Sequence, residues 1–211
     1  MKSNVIISAV IFSLLFMFSC STNESKKQTP PLPYLGHHDI NNGDTAYHEV
    51  PSFNYLTHDS TWLSSEEIEG KVWIAKFFFT QCPTICPPMT ASMHQLVTEL
   101  DSISDELVFL SFSIDPENDT PKQLRSYRKT YEIKHDNWYF LTGDEEETHY
   151  LGVNGFFVHA QADKDAPGGF AHSPNFILVD KNKHIRGVYD GLDKEERKRL
   201  VTDLKRLVEN E

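Results

Sequence analysis

Residues 77–88 read Phe-Phe-Phe-Thr-Gln-Cys-Pro-Thr-Ile-Cys-Pro-Pro, and this stretch decides the fold. It ends a run, residues 71–80, whose aromatic and β-branched side chains predict a buried central strand. The prolines after Cys86 suit the first turn of a helix. Cys82 and Cys86 therefore lie where a strand passes through a loop into a helix. Residues four apart share one face of a helical turn, so the two sulfurs can close on one metal ion or on each other.

The remaining pattern alternates strands with helices. Further central strands are predicted at residues 107–114 and 138–141, and a closing hairpin at 175–180 and 185–189. Helices are predicted at residues 87–100, 120–131 and 144–152 and from residue 193 onward, with an extended segment at 156–160. Early alternation predicts parallel strands, and the hairpin adds antiparallel ones. We therefore expect an α/β, thioredoxin-like fold: a central mixed sheet flanked by helices, with an N-terminal extension and a mid-chain insertion.

The composition limits the classes of partner. The chain has 211 residues and a formal net charge of −11. That length suits one domain with additional segments. The acidic balance argues against a nucleic-acid partner, because nucleic acids attract basic surfaces.

The N-terminus has the features of an export signal. Lys2 precedes an apolar run at residues 5–18, which is short for a membrane span, and Ser19 then precedes Cys20. This pattern resembles a bacterial lipoprotein signal, in which Cys20 would carry the lipid. A plain secretory signal and an uncleaved anchor are the alternatives, and all three export the domain. We expect a signal peptide at 1–19, a lipid-anchored flexible tether at 20–33 and the folded domain at 34–211, in the periplasmic cell envelope.

The cysteine pair is better suited to chemistry than to stapling. A disulfide between Cys82 and Cys86 would close a very small loop and remove little unfolded-state entropy. A position at a helix N-terminus predicts a lowered pKa for Cys86. Thiolates select soft ions, so Cu(I) is the expected metal, with Zn(II) as a competitor. Two sulfurs leave Cu(I) exposed, and a third ligand is needed.

Histidine is the natural third ligand. His172 follows a glycine-rich loop and directly precedes a predicted strand, and in a thioredoxin-like layout that loop faces the thiol pair. A lone loop histidine is nevertheless more often only an exposed polar residue. We predict that four histidines of the N-terminal section are solvated: His37, His38, His48 and His58. Two methionines of the first predicted helix, Met89 and Met93, should pack in the core rather than bind metal.

Two segments carry a resemblance to a known family. Residues 80–87 resemble the T-x-C-P-x-x-C-P signature of the SCO/SenC family, and residues 113–121 resemble its S-I-D-P-x-x-D-T-P segment. The likeness spans about residues 50–190. Members of that family have a thioredoxin fold, bind copper through two cysteines and a distal histidine, and serve assembly of the dinuclear copper centre of cytochrome c oxidase. The resemblance implies Cys82, Cys86 and His172 as copper ligands. It also points to Asp115 as a functional residue, the alternative being a turn-forming aspartate before Pro116.

The leading hypothesis is an exported, membrane-anchored copper metallochaperone. Cu(I) would be bound, with Cu(II) as a second state, and handed to the copper-site subunit of cytochrome c oxidase without turnover. Another copper chaperone or a thiol reductase would be a further partner. The alternative is a thiol–disulfide oxidoreductase in which Cys82 and Cys86 form the redox pair, and a third hypothesis is a peroxide-reducing or redox-sensing protein. A cis Ser173–Pro174 bond is a separate hypothesis.

Overall fold

The structure is a computed structural model, and it describes residues 30–41 and 43–210. The predicted signal peptide, Cys20 and most of the tether lie outside these residues. From Leu32 onward the chain forms one compact unit. Among the described residues, no helix combines the length and the apolar character that crossing a membrane requires.

The described chain contains eleven strands and four α-helices. The strands are β1 (His38–Asn41), β2 (Asp44–Tyr47), β3 (Asn54–Thr57), β4 (Trp62–Ser64), β5 (Val72–Phe78), β6 (Leu107–Ser113), β7 (Trp138–Thr142), β8 (Ala160–Ala162), β9 (Phe170–His172), β10 (Asn175–Val179) and β11 (Ile185–Asp190). The helices are α1 (Cys86–Glu99), α2 (Pro121–Thr130), α3 (Glu145–Tyr150) and α4 (Lys194–Asn210).

Seven of these strands form the main sheet, in the order β11-β10-β5-β6-β7-β3-β4. Strands β5, β6 and β7 run parallel, and the outer strands pair antiparallel on both sides. The predicted mixed sheet is therefore confirmed. Every residue of β5 and β6 is buried, as expected for central strands covered on both faces. Cys82 and Cys86 consequently follow the carboxyl end of a fully enclosed strand.

The helix boundaries follow the local sequence signals. Pro87 and Pro88 occupy the first turn of α1, and Thr120 caps α2 by accepting a hydrogen bond from the backbone N–H of Gln123. The predicted helix at 144–152 is shorter: α3 passes at Leu151–Gly155 into a π-helical turn. The extended segment predicted at 156–160 was largely wrong, because only its last residue enters a strand, β8.

The cis Ser173–Pro174 hypothesis was wrong, since no described peptide bond is cis. The backbone here joins two paired segments. Ser173 donates its N–H to the carbonyl of His159 at 3.0 Å, and the carbonyl of Pro174 accepts from Gly191 at 2.9 Å. A trans bond keeps the chain extended between β9 and β10, so both of these pairings are made.

The first described residues are attached to the sheet through Arg186 of β11. Its guanidinium pairs with Asp180 at 2.8 Å and donates to the carbonyls of Leu32 and Pro33 at 2.7 and 3.2 Å. The ring of Tyr34 lies 4.2 Å from the same guanidinium. These contacts fix the segment before β1 against the hairpin formed by β10 and β11.

Candidate metal centre

Both cysteines lie at the junction of β5 and α1. Cys82 is in the connecting loop, and Cys86 is the first residue of the helix. They are 7% and 1% exposed, and both are free thiols. The loop is compact, because the N–H of Cys82 bonds back to the carbonyl of Phe79 at 3.3 Å. The strand and the helix pack in the core, and this packing holds the backbone that carries the two sulfurs.

His172 reaches this junction from the other side. It ends β9, which pairs only with β8 in a two-stranded ribbon outside the main sheet. Its Nε2 lies 3.0 Å from the Sγ of Cys86, and its Nδ1–H donates to the carbonyl of Ser173 at 3.2 Å. A proton on Nδ1 leaves the Nε2 lone pair directed at the sulfur, as in a metal-binding imidazole. The edge contact with the ring of Phe79 also orients it.

The three donor atoms form a compact group. Two sulfurs and one imidazole nitrogen lie within 4.8 Å of one another. Beside them is a small cavity of about 210 Å³. It is lined by Cys82, Thr84, Ile85, Ala166, Pro167, Phe170, Ala171 and His172. Two soft sulfurs with one nitrogen are a donor set suited to Cu(I), and the residues therefore fit a copper ion.

The two thiols differ in acidity. A hydrogen bond from Cys86 holds the pKa of Cys82 far below that of a free thiol. Burial, together with that same hydrogen bond, raises the pKa of Cys86. The predicted lowering of the pKa of Cys86 by the helix N-terminus was wrong, because desolvation outweighs the helix dipole. Cys82 is therefore the first of the pair to ionise.

Comparison with known proteins identifies the family. The sequence model of SCO1/SenC matches residues 41–209, which is most of the chain. The chain belongs to the SCO1/SenC family. A curated relative, the SCO1 protein homolog of Bacillus subtilis (strain 168), is 32% identical over 201 residues. That alignment covers 95% of this chain and 96% of the relative.

Solved structures agree with this assignment. A SCO1/SenC family lipoprotein from Bacillus anthracis str. Ames superposes with a TM-score of 0.70 at 31% identity, covering 76% of this chain and 95% of that one. BsSco, described with a disulfide switch and as a member of the Sco family of cytochrome c oxidase assembly proteins, gives 0.70 at 33% identity. It covers 78% of this chain and 95% of its own. The thioredoxin-like SCO fold predicted from the sequence is confirmed.

Asp115 lies in the turn after β6, and its hydrogen bonds are made to residues of the same turn. Both of its carboxylate oxygens accept from the side-chain amide of Asn118 at 3.0 Å, and its N–H donates to Ser113. This is the arrangement of a turn-forming aspartate, which was the alternative to a functional role. The structure thus gives Asp115 a turn-stabilising part, and the functional role implied by the resemblance stays a prediction.

Asp119 is the carboxylate that contacts the cysteine loop, and the sequence analysis missed it. It is fully buried and accepts hydrogen bonds from the N–H and hydroxyl of Thr80 and from the hydroxyl of Ser113 at 2.6 Å. Thr80 lies two residues before Cys82, so Asp119 positions the start of the loop. Burial raises the pKa of this carboxyl, whereas its hydrogen bonds lower it. The sequence feature that could have identified Asp119 is its position as the second aspartate of the S-I-D-P-x-x-D-T-P segment.

The predicted burial of the other histidines and of the methionines was confirmed at some positions and wrong at one. His37 and His38 are exposed, as predicted, and His48 is half-buried. His58 was predicted to be solvated, which was wrong: it is 5% exposed, and its Nδ1 accepts the N–H of Phe140 at 3.4 Å. That contact places the ring at the margin of the sheet. The two methionines of α1, Met89 and Met93, are fully buried in the core.

Proposed function

We propose that this chain is an exported, membrane-anchored copper metallochaperone that delivers copper for assembly of the dinuclear copper site of cytochrome c oxidase. The observation that carries the proposal is the convergence of Cys82, Cys86 and His172, whose donor atoms lie within 4.8 Å of one another. Copper is the cargo, and the protein releases it by ligand exchange with the recipient. No chemical turnover is required.

The donor set favours Cu(I) over its competitor. Cu(I) accepts three soft ligands in a trigonal arrangement, whereas a structural Zn(II) site usually takes four. Cu(II) would need an added oxygen or water ligand. The ligands must be deprotonated to bind, so copper loading releases protons and requires reduced thiols. The low pKa of Cys82 supplies the first thiolate.

The N-terminus and the relatives support the proposed site of action. The Ser19-Cys20 pattern supports a lipid anchor in the cell envelope, with the domain in the periplasm. The relative from Bacillus anthracis is described as a lipoprotein, and BsSco as a member of a family of cytochrome c oxidase assembly proteins. The proposed recipient is therefore the copper-site subunit of the oxidase, with another copper chaperone or a thiol reductase as a further partner.

Replacement of His172 tests the carrier function. His172→Ala removes one of three ligands, and we expect Cu(I) affinity to fall by about tenfold or more. Affinity is measured anaerobically on reduced protein by competition with a chromophoric Cu(I) chelator. His38→Ala, at an exposed position, is the matched control and should bind as the wild type does. An affinity of His172→Ala equal to that of the control would defeat the carrier model.

A thiol–disulfide oxidoreductase is the second candidate, favoured by the unequal acidity of the two thiols. The Cys82 thiolate would attack a substrate disulfide and form a mixed disulfide. Cys86 would then displace the substrate as a dithiol, leaving a Cys82–Cys86 disulfide. Cys86→Ser should trap the mixed disulfide. Insulin reduction that turns over rapidly and survives His172→Ala would favour this function over copper delivery.

A further inference from the structure

A buried lysine lies beneath the metal centre. Lys76 is in the middle of β5 and is fully enclosed. Its Nζ donates to the Oγ1 of Thr90 at 2.8 Å, and Thr90 in turn bonds to the hydroxyl of Tyr127 at 2.9 Å. The rings of Phe78 and Trp138 lie 5.3 and 5.7 Å from the ammonium. All of these neighbours are neutral.

In the part of the chain that the structure describes, no carboxylate forms an ion pair with this ammonium. Within residues 30–41 and 43–210, the ion pairs of the structure do not include Lys76. Taking an unpaired ammonium out of water is costly, and a negative charge nearby offsets that cost. The sulfurs of the metal centre are the groups that can become negative in this part of the core.

The position of Thr90 places the ammonium close to that centre. Thr90 lies four residues after Cys86 on α1, so the two side chains share one face of the helix, one turn apart. Lys76 and Cys86 therefore occupy the same buried region between β5 and α1. Burial dominates the pKa of each group, lowering that of Lys76 to about 7, while each charge also stabilises the other.

The charge of the loaded site explains the need for a cation. Cu(I) with two thiolates and a neutral imidazole carries a net charge of −1, whereas a Cys82–Cys86 disulfide carries none. In a low-dielectric region, a neighbouring ammonium stabilises the anionic state and is itself unbalanced beside the disulfide. We propose that Lys76 is the buried counter-cation of the metal centre and favours the copper-loaded dithiolate over the disulfide. This inference rests on the proposed copper-binding function.

The redox half of the proposal is a defined equilibrium. A small dithiol donates two electrons to the Cys82–Cys86 disulfide. The protein S–S bond breaks and the small dithiol becomes a cyclic disulfide. The two protons of the small dithiol pass to the protein sulfurs, and a protein sulfur that remains a thiolate releases its proton to water. Lys76 lowers the free energy of the product side, because reduction creates a thiolate, first at Cys82, within the neighbouring cysteine pair. Loss of the ammonium should therefore shift this equilibrium toward the protein disulfide.

Two neutral variants test the charge of Lys76. Lys76→Met removes the charge with little change in volume, and Lys76→Gln also allows a hydrogen bond to Thr90. Lys198→Met is the control, because it makes the same change in net charge at an exposed position. Two quantities are measured: the Cu(I) affinity of reduced protein, and the dithiol equilibrium of metal-free protein at a pH below 7, where Lys76 is charged. Circular dichroism verifies that each variant is folded.

We expect both neutral variants to bind Cu(I) about tenfold more weakly and to shift the dithiol equilibrium about tenfold toward the disulfide. A purely structural lysine would change the stability of the fold but neither of these constants. Values within twofold of Lys198→Met in a folded variant would overturn the proposal. If the wild type bound no Cu(I), the proposed function would fail. The metal-free equilibrium would still decide whether Lys76 acts on the cysteine pair.

Discussion

Among the described residues, the lysine and the arginine that are buried, Lys76 and Arg186, have their charges balanced differently. Arg186 faces Asp180 at 2.8 Å and two backbone carbonyls, so its charge is paired within the fold. Lys76 has a threonine hydroxyl as its recorded hydrogen-bond partner. A paired buried ion stabilises a particular arrangement. A buried cation without a carboxylate partner can instead stabilise negative charge that forms at a neighbouring site, here the copper-loaded cysteine pair. At the residue scale, Arg186 is therefore part of the architecture, and Lys76 belongs to the chemistry of the metal centre.

His58 makes the stability of the fold depend on pH. Burial, and next the nearby Arg128, lower the pKa of His58 from 6.5 to about 4. The unfolded chain then binds more protons than the folded one between these values, so stability rises with pH. The contribution is present in full above pH 6.5 and is lost as the pH falls toward 4. The whole effect is at most about 3 kcal/mol.

Urea denaturation between pH 4 and pH 7 measures this contribution. We expect His58→Gln to flatten the dependence of the unfolding free energy on pH, because glutamine does not titrate. His38→Gln, at an exposed site, should keep the slope of the wild type. A slope in His58→Gln as steep as that of the control would show that His58 ionises freely in the folded state.

The residues that the sequence revealed are those with a distinctive spacing. The cysteine pair between an apolar run and two prolines predicted both its location and its metal chemistry. Lys76, Asp119 and His58 were missed or misjudged, because each depends on burial that single positions do not reveal. In the sequence, a lysine within an apolar strand only interrupts the apolar run. The structure is needed to show that Lys76 is buried, because β5 is covered on both faces of the sheet.

At the scale of elements, the metal centre is built from two parts of the fold, the junction of β5 with α1 and the ribbon formed by β8 and β9. The cysteines are fixed by β5 and α1, whereas His172 depends on the ribbon formed by β8 and β9. The ribbon contacts the end of β5 through the ring of Phe170, whose centroid lies 5.3 Å from that of Phe79. The position of the imidazole therefore depends on a small number of contacts near Phe79.

Two neighbouring glycines allow this dependence to be tested. Gly168 and Gly169 have φ of +83° and +86°, so alanine at either adopts a strained left-handed conformation. A Cβ on Gly168 would also lie 2.8 Å from the ring of Phe79, whereas a Cβ on Gly169 meets nothing within 4 Å. We expect Gly168→Ala to lower Cu(I) affinity by about tenfold, because it displaces the ribbon from Phe79.

Gly169→Ala is the matched control for the strain itself. Both variants should lose similar backbone stability, about 1–2 kcal/mol, and only the first should weaken copper binding further. Chelator competition gives the affinities, and urea denaturation gives the stabilities. Equal Cu(I) affinities in the two alanine variants would show that the contact with Phe79 does not position His172.

The elements that the sequence predicted well are long and regular. The strands β5 and β6 and the helices α1 and α2 appeared within a few residues of their predicted ends, because apolar runs, prolines and caps mark them. The ribbon was missed, since strands of three residues carry too little periodicity to be recognised. The edge strand β4, also three residues long, was missed for the same reason.

At the scale of the whole molecule, anchoring by Cys20 stays a prediction, and it can be tested in a bacterial host. Cys20→Ala removes the proposed lipid attachment site, so the protein should move from the membrane fraction to the soluble periplasmic fraction. The acyl chains supply the membrane affinity, at about 0.8 kcal/mol for each buried CH₂. Cys82→Ala should remain in the membrane fraction. Retention of Cys20→Ala in that fraction would favour an uncleaved apolar anchor.

The attachment of the first described residues has a mechanical consequence for an anchored protein. If Cys20 carries the proposed anchor, the chain would enter the domain at Leu32 and Pro33, whose carbonyls are bound by Arg186. Tension transmitted along the chain would be opposed first by this cation and by its ion pair with Asp180. The load would then spread through the edge hairpin of the sheet, and the ribbon that carries His172 would not bear it directly. Movement of the membrane surface would therefore reach the domain at the edge hairpin and not at one of the three ligands.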